Sequence, residues 1–317
     1  MSRMHAVPSL ALAALLLGSC KPPAPLPEVK VHATVSPLGA QALVTLANNR
    51  RLARVVLVDD PRDAEVAWFG DPAEALAAAP LLVPRSAPAQ PEVDARWKDP
   101  KGRFFPLCAR ARILLVNPRA ALPVQPSQLR DLTDARLAGR QVLVPFGRGA
   151  GPATAAALAS VFGEAPTLAF LDGVARQRPQ LAASDEAVQA LVASGAADVG
   201  LAGSEQGAAG AASAAALEVI YPDQGGGGTL VFPTAAALLE RGRRSEAALR
   251  LVDWLAGTDA EQLVAARAPG YLPLRGDVPL PTGVRSATAV RSIRLDWERV
   301  SELERAMSVR LGSWPTP

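Results

Sequence analysis

The sequence has few of the side chains that carry out most enzymatic chemistry. Its 317 residues include two histidines, two cysteines and only 4% aromatic residues. His5 lies before the apolar N-terminal run described below, which leaves His32 in the body of the chain. No histidine or cysteine cluster has the spacing of a metal site, and no Gly-x-Ser-x-Gly nucleophile elbow is present. We therefore expect a protein that is not an enzyme and has no resident cofactor.

A strong charge of one sign is also lacking. The formal net charge is +3, and the arginines are scattered along the chain without interleaved aromatic residues. A nucleic-acid-binding groove would need both features, so we do not expect nucleic acid as a partner. If Cys20 is lipidated, Cys108 is the one remaining thiol, and no intramolecular disulfide can form. Cys108 lies in an apolar segment and is expected to be buried.

The sequence contains one long apolar run, at residues 10–20, and it ends at a cysteine. Arg3 precedes this run, which is too short to span a bilayer, as in a secretory signal. Its last four residues, Leu-Gly-Ser-Cys, resemble the lipobox of bacterial lipoproteins, in which the cysteine carries the lipid. We predict a signal peptide at residues 1–19 and a lipidated Cys20 that begins a proline-rich tether at residues 20–28. The alternative is an ordinary secretory signal that merely contains a cysteine.

The rest of the chain alternates between strand and helix patterns, which is typical of an α/β fold with helices on both faces of a sheet. Its length favours two lobes over a single core. Strands are predicted at residues 29–35, 54–58, 66–69, 112–116, 141–144, 198–201, 219–221 and 229–232. Helices are predicted at residues 38–49, 72–79, 152–162, 185–194, 235–241, 245–256 and 295–311.

Several segments, in order along the chain, resemble the extracellular solute-binding proteins of ABC importers, in particular the ferric-iron-binding class. They are ARILLVN at 111–117, LRDLTDARLAGR at 129–140, SDEAVQALVASGAADVGLA at 184–202, YPDQGGGGTLVFP at 221–233, AALRLVDWLAGTDAEQLVA at 247–265 and IRLDWERV at 293–300. The resemblance implies the two-lobed periplasmic-binding-protein fold of type II, in which each lobe is a mostly parallel sheet flanked by helices. It also implies a permease and an ATPase as partners.

The same resemblance implies two lobes that close on a ligand by hinge motion of crossing strands. Residues 29–112 and 228–279 are assigned to lobe 1, and residues 113–227 and 280–317 to lobe 2. The crossings are expected at 112–117 and 219–224, which gives hinge roles to Asn117, Pro222, Asp223 and Gln224. We expect the ligand in the cleft between the lobes, beyond the carboxyl ends of the strands.

The chain departs from its relatives where they bind metal. In the iron-binding class, tyrosines, a histidine and a carboxylate hold ferric iron. Glu205 and Gln206 occupy the positions of the tyrosine pair, and Ser36 stands where the histidine is expected. Asp71 matches the carboxylate, although it is also an ordinary helix start. If a metal is bound, Asp71 and Glu205 are the expected ligands, with Ser36 and Ser204 as weaker oxygen donors.

A second candidate ligand-binding loop precedes the helix predicted at 152–162. The backbone amides of Gly149, Ala150 and Gly151, together with the side chain of Arg148, are placed to contact an anion at a helix N-terminus. The alternative for this loop is a plain turn. The expected cargo is therefore ferric iron, an iron complex or a small anion.

Two hypotheses for function follow. The first is a lipid-anchored substrate-binding protein, a monomer in the bacterial cell envelope, which faces the periplasm or the exterior and delivers a small solute to an ABC permease. The second is a binding-protein fold that has lost its ligand and acts as an anchored sensor or interaction module. The missing tyrosines motivate the second hypothesis.

Overall fold

The computed structural model describes residues 25–86, 90–276, 278–280 and 285–315. The predicted signal peptide, Cys20 and the first part of the tether lie outside the described residues. Within the described ranges, no helix combines the length and the apolar character that a membrane crossing requires.

Strands and helices alternate along the described chain, as predicted. The strands are β1 Glu28–Ala33, β2 Arg54–Val58, β3 Val66–Phe69, β4 Phe105–Val116, β5 Gln141–Leu143, β6 Gln180–Leu181, β7 Val199–Gly203, β8 Glu218–Ile220 and β9 Val231–Leu238. The helices are α1 Pro37–Asn49, α2 Pro72–Ala77, α3 Gly151–Phe162, α4 Glu164–Arg176, α5 Asp185–Ser194, α6 Ser204–Ala211, α7 Glu246–Leu255, α8 Thr258–Arg267 and α9 Trp297–Arg310.

The strands form two half-sheets that share β4. Lobe 1 has the strand order β2-β1-β3-β9-β4, and lobe 2 has the order β4-β7-β5-β6, with β8 also paired to β4. The outer strands of each lobe are parallel, whereas β9 runs antiparallel to β3 and β4, and β7 and β8 run antiparallel to β4. Each half-sheet is therefore mixed, with the antiparallel pairs concentrated at the strands that join the lobes.

The first crossing between the lobes lies within β4. Residues Phe105–Ala111 of this strand pair with β9 in lobe 1, and Arg112–Val116 pair with β7 in lobe 2. The chain exchanges partners between Ala111 and Arg112, where the Arg112 amide still donates to the Leu230 carbonyl at 2.9 Å. The return crossing runs through residues 229–231 into β9. Both crossings thus lie close together, at the middle of the molecule.

The residues assigned to the hinge lie at different distances from these crossings. Asn117 lies at the far end of β4, inside lobe 2, where its Nδ2 donates to the Val192 carbonyl at 2.9 Å and caps the end of α5. This position gives Asn117 a capping role, and its hinge role stays a prediction. Pro222, Asp223 and Gln224 form a turn just before the return crossing, and the Asp223 amide donates to Ser127 at 2.9 Å.

The helix predicted at 235–241 is wrong, because residues 231–238 form the central strand β9. Every residue of β9 is buried, and the strand is paired on both sides, with β3 and with β4. Its alanines favour helix in isolation, but sheet hydrogen bonds and burial on both faces decide the conformation here. The small side chains leave room for the helices that cover the sheet.

Helix α9 connects the two lobes. It packs against α2, which lies on the lobe 1 sheet, and against α3 in lobe 2. Its buried residues Val300, Leu303 and Met307 join the lobe 2 core. On its other side, the Ser301 hydroxyl donates to the Ala73 carbonyl in α2 at 3.0 Å. The C-terminal helix is therefore placed to present side chains between the lobes.

Candidate functional site

A cavity of about 460 Å³ lies between the two half-sheets. Its walls come from the loops after β1, β3, β5 and β7, from the starts of α3 and α5, from the crossing region of β4 and from α9. Loops after parallel strands are the usual place for a ligand in an α/β protein. The charged or hydroxyl-bearing lining residues are Thr34, Ser36, Asp71, Glu74, Arg110, Arg112, Thr154, Ser184, Asp185, Glu186, Glu205 and Glu304.

The cavity brings together five of the residues predicted from the sequence to contact ligand. Ser36 and Asp71 line it from lobe 1, and Gly149, Ala150 and Glu205 line it from lobe 2. The other three, Arg148, Gly151 and Ser204, do not line it and are described below.

Ser36 is held in place by a tyrosine that is remote in the sequence. Its hydroxyl lies 2.9 Å from the Tyr271 hydroxyl, and its amide donates to the same oxygen at 3.1 Å. Ser36 also accepts from the Gly39 amide at 3.3 Å, which caps the start of α1. Tyr271 is fully buried, and burial, together with the nearby Glu205, raises the pKa of its hydroxyl. The described tyrosine nearest the cavity thus supports a lining residue from behind.

Asp71 caps α2 and lines the cavity at the same time. Its Oδ1 accepts from the amides of Ala73 and Glu74 at 2.9 and 3.0 Å, and the residue is only 2% exposed. Burial raises the pKa of Asp71 to about 6, and the neighbouring Glu74 contributes to the shift. Asp71 is therefore a helix cap that also lines the cleft, and its role as a ligand stays a prediction.

Glu205 lies at the start of α6 and faces Arg110 of β4. Arg110 Nη1 is 3.5 Å from Glu205 Oε1, and Arg110 Nη2 donates to the Gly70 carbonyl, next to Asp71, at 2.9 Å. Burial raises the pKa of Glu205, and Arg110 offsets part of this effect. A guanidinium therefore stands beside both of the carboxylates proposed as metal ligands.

A second arginine of β4 reaches the cavity from the same face of the strand, since residues two apart point to one side. Arg112 Nη1 donates to Asp185 Oδ2 at 2.7 Å. The same oxygen accepts from the Gly203 amide at 2.9 Å. The alternation Arg-Ala-Arg in the middle of an otherwise apolar segment was a signal for these two residues, and the sequence prediction missed it.

Ser204, next to Glu205, has a structural role. It is buried, its hydroxyl donates to the Gly270 carbonyl at 2.6 Å, and it accepts from the Ala111 amide at 3.1 Å. These bonds fasten the start of α6 to the crossing strand. The Ser204 hydroxyl is thus bonded to backbone groups, and Ser204 does not line the cavity.

The loop before α3 is a turn that contacts the cavity with only part of its length. The Gly151 amide donates to the Arg148 carbonyl at 2.9 Å, so it is not available to an anion. A Cβ at Gly151 would lie 2.5 Å from the Pro145 carbonyl, which explains the glycine by close backbone approach. The side chain of Arg148 borders a separate shallow depression beside Trp314.

Glu304 is a cavity residue that the sequence does not reveal. It lies on α9 and faces Asp71 and Glu74 on α2. Burial raises the pKa of Glu304 to about 8, and the two neighbouring carboxylates add to the shift. No local pattern marks this residue, because its position depends on how a helix at the end of the chain packs.

The lining side chains give the cavity an excess of carboxylates. Asp71, Glu74, Asp185, Glu186, Glu205 and Glu304 line it together with only two arginines. Among the residues that the structure describes, no group of three or more His, Cys, Asp or Glu is placed to hold a metal ion. The arrangement suits reversible binding of a polar solute through hydrogen bonds and charge.

Comparison with known proteins gives matches over most of the chain. The sequence profile of the family described as bacterial extracellular solute-binding protein matches residues 72–297, which is more than half of the chain. A curated relative, iron uptake protein A1 of Synechocystis sp., is 28% identical over 201 residues. That match covers 60% of this chain and 55% of the relative, so the chain spans little more than half of the relative's length.

Solved structures match over nearly the whole described fold. The Trichodesmium protein IdiA (FutA), in complex with iron and citrate, is 19% identical with a TM-score of 0.74, and the match covers 90% of this chain and 98% of that one. Iron-bound HitA from Pseudomonas aeruginosa is 16% identical with a TM-score of 0.77, covering 90% and 99%. These likenesses confirm the predicted α/β fold of the type II periplasmic binding proteins.

Proposed function

The chain belongs to the bacterial extracellular solute-binding protein family, and from this premise we propose that it captures a small solute between its lobes and delivers it to the permease and ATPase of an ABC importer. The observation that carries the proposal is the interlobe cavity, whose lining side chains come from both lobes. Its volume of about 460 Å³ falls in the usual range for small-molecule sites. The protein acts by binding and has no catalytic role.

Binding is accompanied by closure of the lobes about the crossing strands. We keep residues 29–112 and 228–279 for lobe 1 and residues 113–227 and 280–317 for lobe 2. The partner exchange between Ala111 and Arg112 supports a boundary at that point. The flexing segments are this point and the return crossing at 229–231, with the turn at Pro222–Gln224 beside it.

Iron or an iron complex is the first cargo to test, because the names of the relatives refer to iron. Asp71 and Glu205 are the carboxylates that would contact it. The Arg110 guanidinium beside both of them opposes a bare ferric ion, since like charges repel, and favours a complex that carries its own anionic ligands. A small anion stays in the test as the third cargo.

The proposal is tested by the thermal stability of the purified protein with and without ligands. A ligand present at 100 times its Kd stabilises the folded state by about 2.7 kcal/mol, which is easily measured. The panel contains ferric iron, ferric citrate, phosphonates, organic acids, small sugars and small amines. At least one compound is expected to raise the melting temperature, and the double variant Asp71→Ala, Glu205→Ala is expected to abolish that rise.

Two results would contradict this proposal. A panel without any shift would favour the alternative of an anchored module that has lost its ligand. A shift that persists unchanged in the double variant would show that the solute binds elsewhere.

The location of the protein at the membrane is proposed from the sequence alone. Lipidation of Cys20 holds the binding protein beside its membrane partner, within the reach of the tether at residues 20–28. Incorporation of an alkyne-tagged fatty acid in bacteria tests this: we expect labelling of the protein but not of Cys20→Ser. Cys108→Ser is the matched control and should label normally, because Cys108 is a buried thiol in β4. Equal labelling of Cys20→Ser would indicate that lipid is attached elsewhere.

A further inference from the structure

Three carboxylates from two helices converge at one end of the cavity. Asp71 and Glu74 lie at the start of α2, and Glu304 lies on α9. The hydrogen bond from the Ser301 hydroxyl to the Ala73 carbonyl, at 3.0 Å, joins the two helices and so keeps Glu304 near Asp71 and Glu74. Carboxylates that are close together and partly shielded from water repel one another. The free-energy cost of this repulsion must be offset, for example by a positive charge.

Each of these carboxylates has an oxygen without a partner among the described residues. Asp71 is 98% buried, since it is 2% exposed; its Oδ1 accepts two amides, whereas its Oδ2 accepts no hydrogen bond. Asp71 Oδ2 has no hydrogen-bond partner but is not completely buried. This oxygen therefore opens to the cavity that Asp71 lines. Glu304 makes no hydrogen bond and no ion pair with any described residue.

Glu74 completes the arrangement from within lobe 1. One of its carboxylate oxygens accepts from the Thr34 hydroxyl and from the Gly70 amide, at 3.0 Å for the amide. The other oxygen has no described partner. The end of the cavity thus offers several acceptor oxygens that no described side chain engages, which is the complement of a ligand that carries N–H groups.

The cavity's own cations meet this need only in part. Arg110 interacts electrostatically with Asp71 and Glu74, but its ion pair, at 3.5 Å, is with Glu205, and its Nη2 donates to the Gly70 carbonyl at 2.9 Å. Arg112 is occupied by Asp185 at 2.7 Å. Once these two pairs are set aside, Asp71, Glu74, Glu186 and Glu304 remain, and no lysine or arginine among the described residues forms an ion pair with them. The solute itself is the remaining source of positive charge.

We propose that the cargo of this cleft is a small organic cation whose amine or ammonium group binds between Asp71, Glu74 and Glu304. This rests on the proposed solute-binding function and names the class of solute for that site. A bare metal ion fits less well, because the described residues include no group of three His, Cys, Asp or Glu in position to ligate one. The cavity volume of about 460 Å³ also exceeds what a single ion fills.

The rest of the cavity fits the carbon skeleton of such a solute. Val144, Ala153 and Phe232 line it alongside the charged groups. Apolar walls with a few polar groups at one end are the usual way in which a protein orients a small molecule. The solute is thus expected to place its charged nitrogen at α2 and α9 and its apolar part along α3 and β9.

Isothermal titration calorimetry of the purified protein tests the charge of the cargo. The cationic probes are 1,4-diaminobutane, lysine and choline; the anionic probes are succinate, phosphate and ferric citrate. Succinate matches the four-carbon length of 1,4-diaminobutane and reverses its charge. We expect at least one cationic probe to bind and succinate not to bind. Binding of anionic probes alone would overturn the cation inference and leave the solute-binding function standing. No binding in either set would overturn the cation inference, and together with no shift in the thermal panel it would overturn both.

Two variants test the position of the site. Glu304→Gln and Asp71→Asn each keep the shape of the side chain, and asparagine still caps a helix, so both variants should fold. Each variant is expected to lower the affinity for the cation at least tenfold. Glu302→Gln is the matched control: Glu302 lies on the same helix, 68% exposed and paired with Arg299 at 3.1 Å. Affinity that is unchanged in both cavity variants, or weakened equally in the control, would overturn the assignment.

Discussion

Two arginine–glutamate pairs among the described residues differ in how deeply they are buried and how closely they are held. In lobe 1, Arg275 Nη1 lies 2.5 Å from Glu261 Oε2, and both side chains are almost fully buried. In the cleft, Arg110 lies 3.5 Å from Glu205, and the arginine side chain is 23% exposed. The first pair is tight and dry, and the second is loose and open on one side.

The hydrogen bonds around each pair explain the difference. Glu261 also accepts from the amides of Leu274 and Arg275, and Arg275 Nη2 donates to the Ala256 carbonyl at 3.0 Å. The Nε atoms of both arginines lack a hydrogen-bond partner among the described residues, although Arg275 Nε lies 3.7 Å from the Glu92 carboxylate. A buried pair whose carboxylate also accepts two backbone amides holds segments of chain together, whereas a looser pair beside a cavity can exchange partners with a solute. The comparison thus separates scaffold charges from binding charges.

The largest effect is expected when the fully buried pair of Arg275 and Glu261 is broken. Glu261→Ala leaves Arg275 charged and buried and frees two backbone amides, so we expect a loss of about 3–5 kcal/mol in the free energy of unfolding. Urea denaturation measures this loss. Glu246→Ala is the control, because Glu246 is exposed and its pair with Arg250 is weak, at 3.6 Å; there we expect a change below about 0.5 kcal/mol. A loss of the same size in both variants would remove the special role of the buried pair.

A smaller effect is expected at the cleft pair. Glu205→Gln keeps the shape of the side chain, and burial already disfavours the charge of Glu205, as its raised pKa indicates. We expect a loss of about 1 kcal/mol in the free energy of unfolding, measured by the same denaturation. The affinity for a cationic solute, by contrast, should fall strongly, because Arg110 is then unpaired and its positive charge faces the solute. If Glu205→Gln destabilised the protein as much as Glu261→Ala, the distinction between the two pairs would fail.

Glu304 extends the comparison to a half-buried carboxylate that has no hydrogen bond or ion pair with a described residue. Here removal of the charge is expected to stabilise the protein. Its pKa is raised to about 8 by burial and by Asp71 and Glu74, so ionisation in the folded state costs more than in the unfolded chain. Stability of the wild type should therefore fall as pH rises from its ordinary pKa toward 8. Glu304→Gln avoids this loss and should be more stable above pH 8, by on the order of 1 kcal/mol after allowance for solvent screening.

Thermal unfolding at pH 4.5 and pH 8.5 measures this difference. At pH 4.5 wild type and Glu304→Gln should melt together, since the glutamate is protonated in the folded state. The control Glu302→Gln should follow the wild type at both values. A variant that is less stable than the wild type at pH 8.5 would indicate that Glu304 has a stabilising partner.

Much of the fold could be predicted from the sequence because local signals and tertiary structure agree. Ser184 and Gly195, for example, mark both ends of α5. Prediction failed where tertiary packing determines the local conformation. Strand β9 is rich in alanine, and its sequence favours a helix until its two neighbouring strands are known. Helix α4 was missed because Pro166 and Gly173 lie inside it, and α6 because its glycines obscure the pattern. Gly207 permits close contact with Ile113, 2.7 Å from a would-be Cβ.

The candidate site was harder to predict than the fold. Residues on loops after strands, such as Ser36, Asp71 and Glu205, could be found because the resemblance places a ligand there, and the cavity does bring them together. Glu304 and Tyr271 reach the site only through the packing of distant segments. Physical proximity of this kind leaves no local pattern in a single sequence.

The smallest effect is expected for a third arginine, Arg148, which belongs to neither class in the comparison. It is exposed, it forms no ion pair with a described residue, and its side chain lies beside Trp314 outside the cavity. Arg148→Ala should change the free energy of unfolding by less than about 0.5 kcal/mol. It should also leave the affinity for every bound solute within twofold of the wild type, as measured by calorimetry. A tenfold loss of phosphate binding in this variant would instead restore the anion-binding role predicted for the loop at 148–151, and would show that an exposed arginine outside the cleft can act as a binding charge.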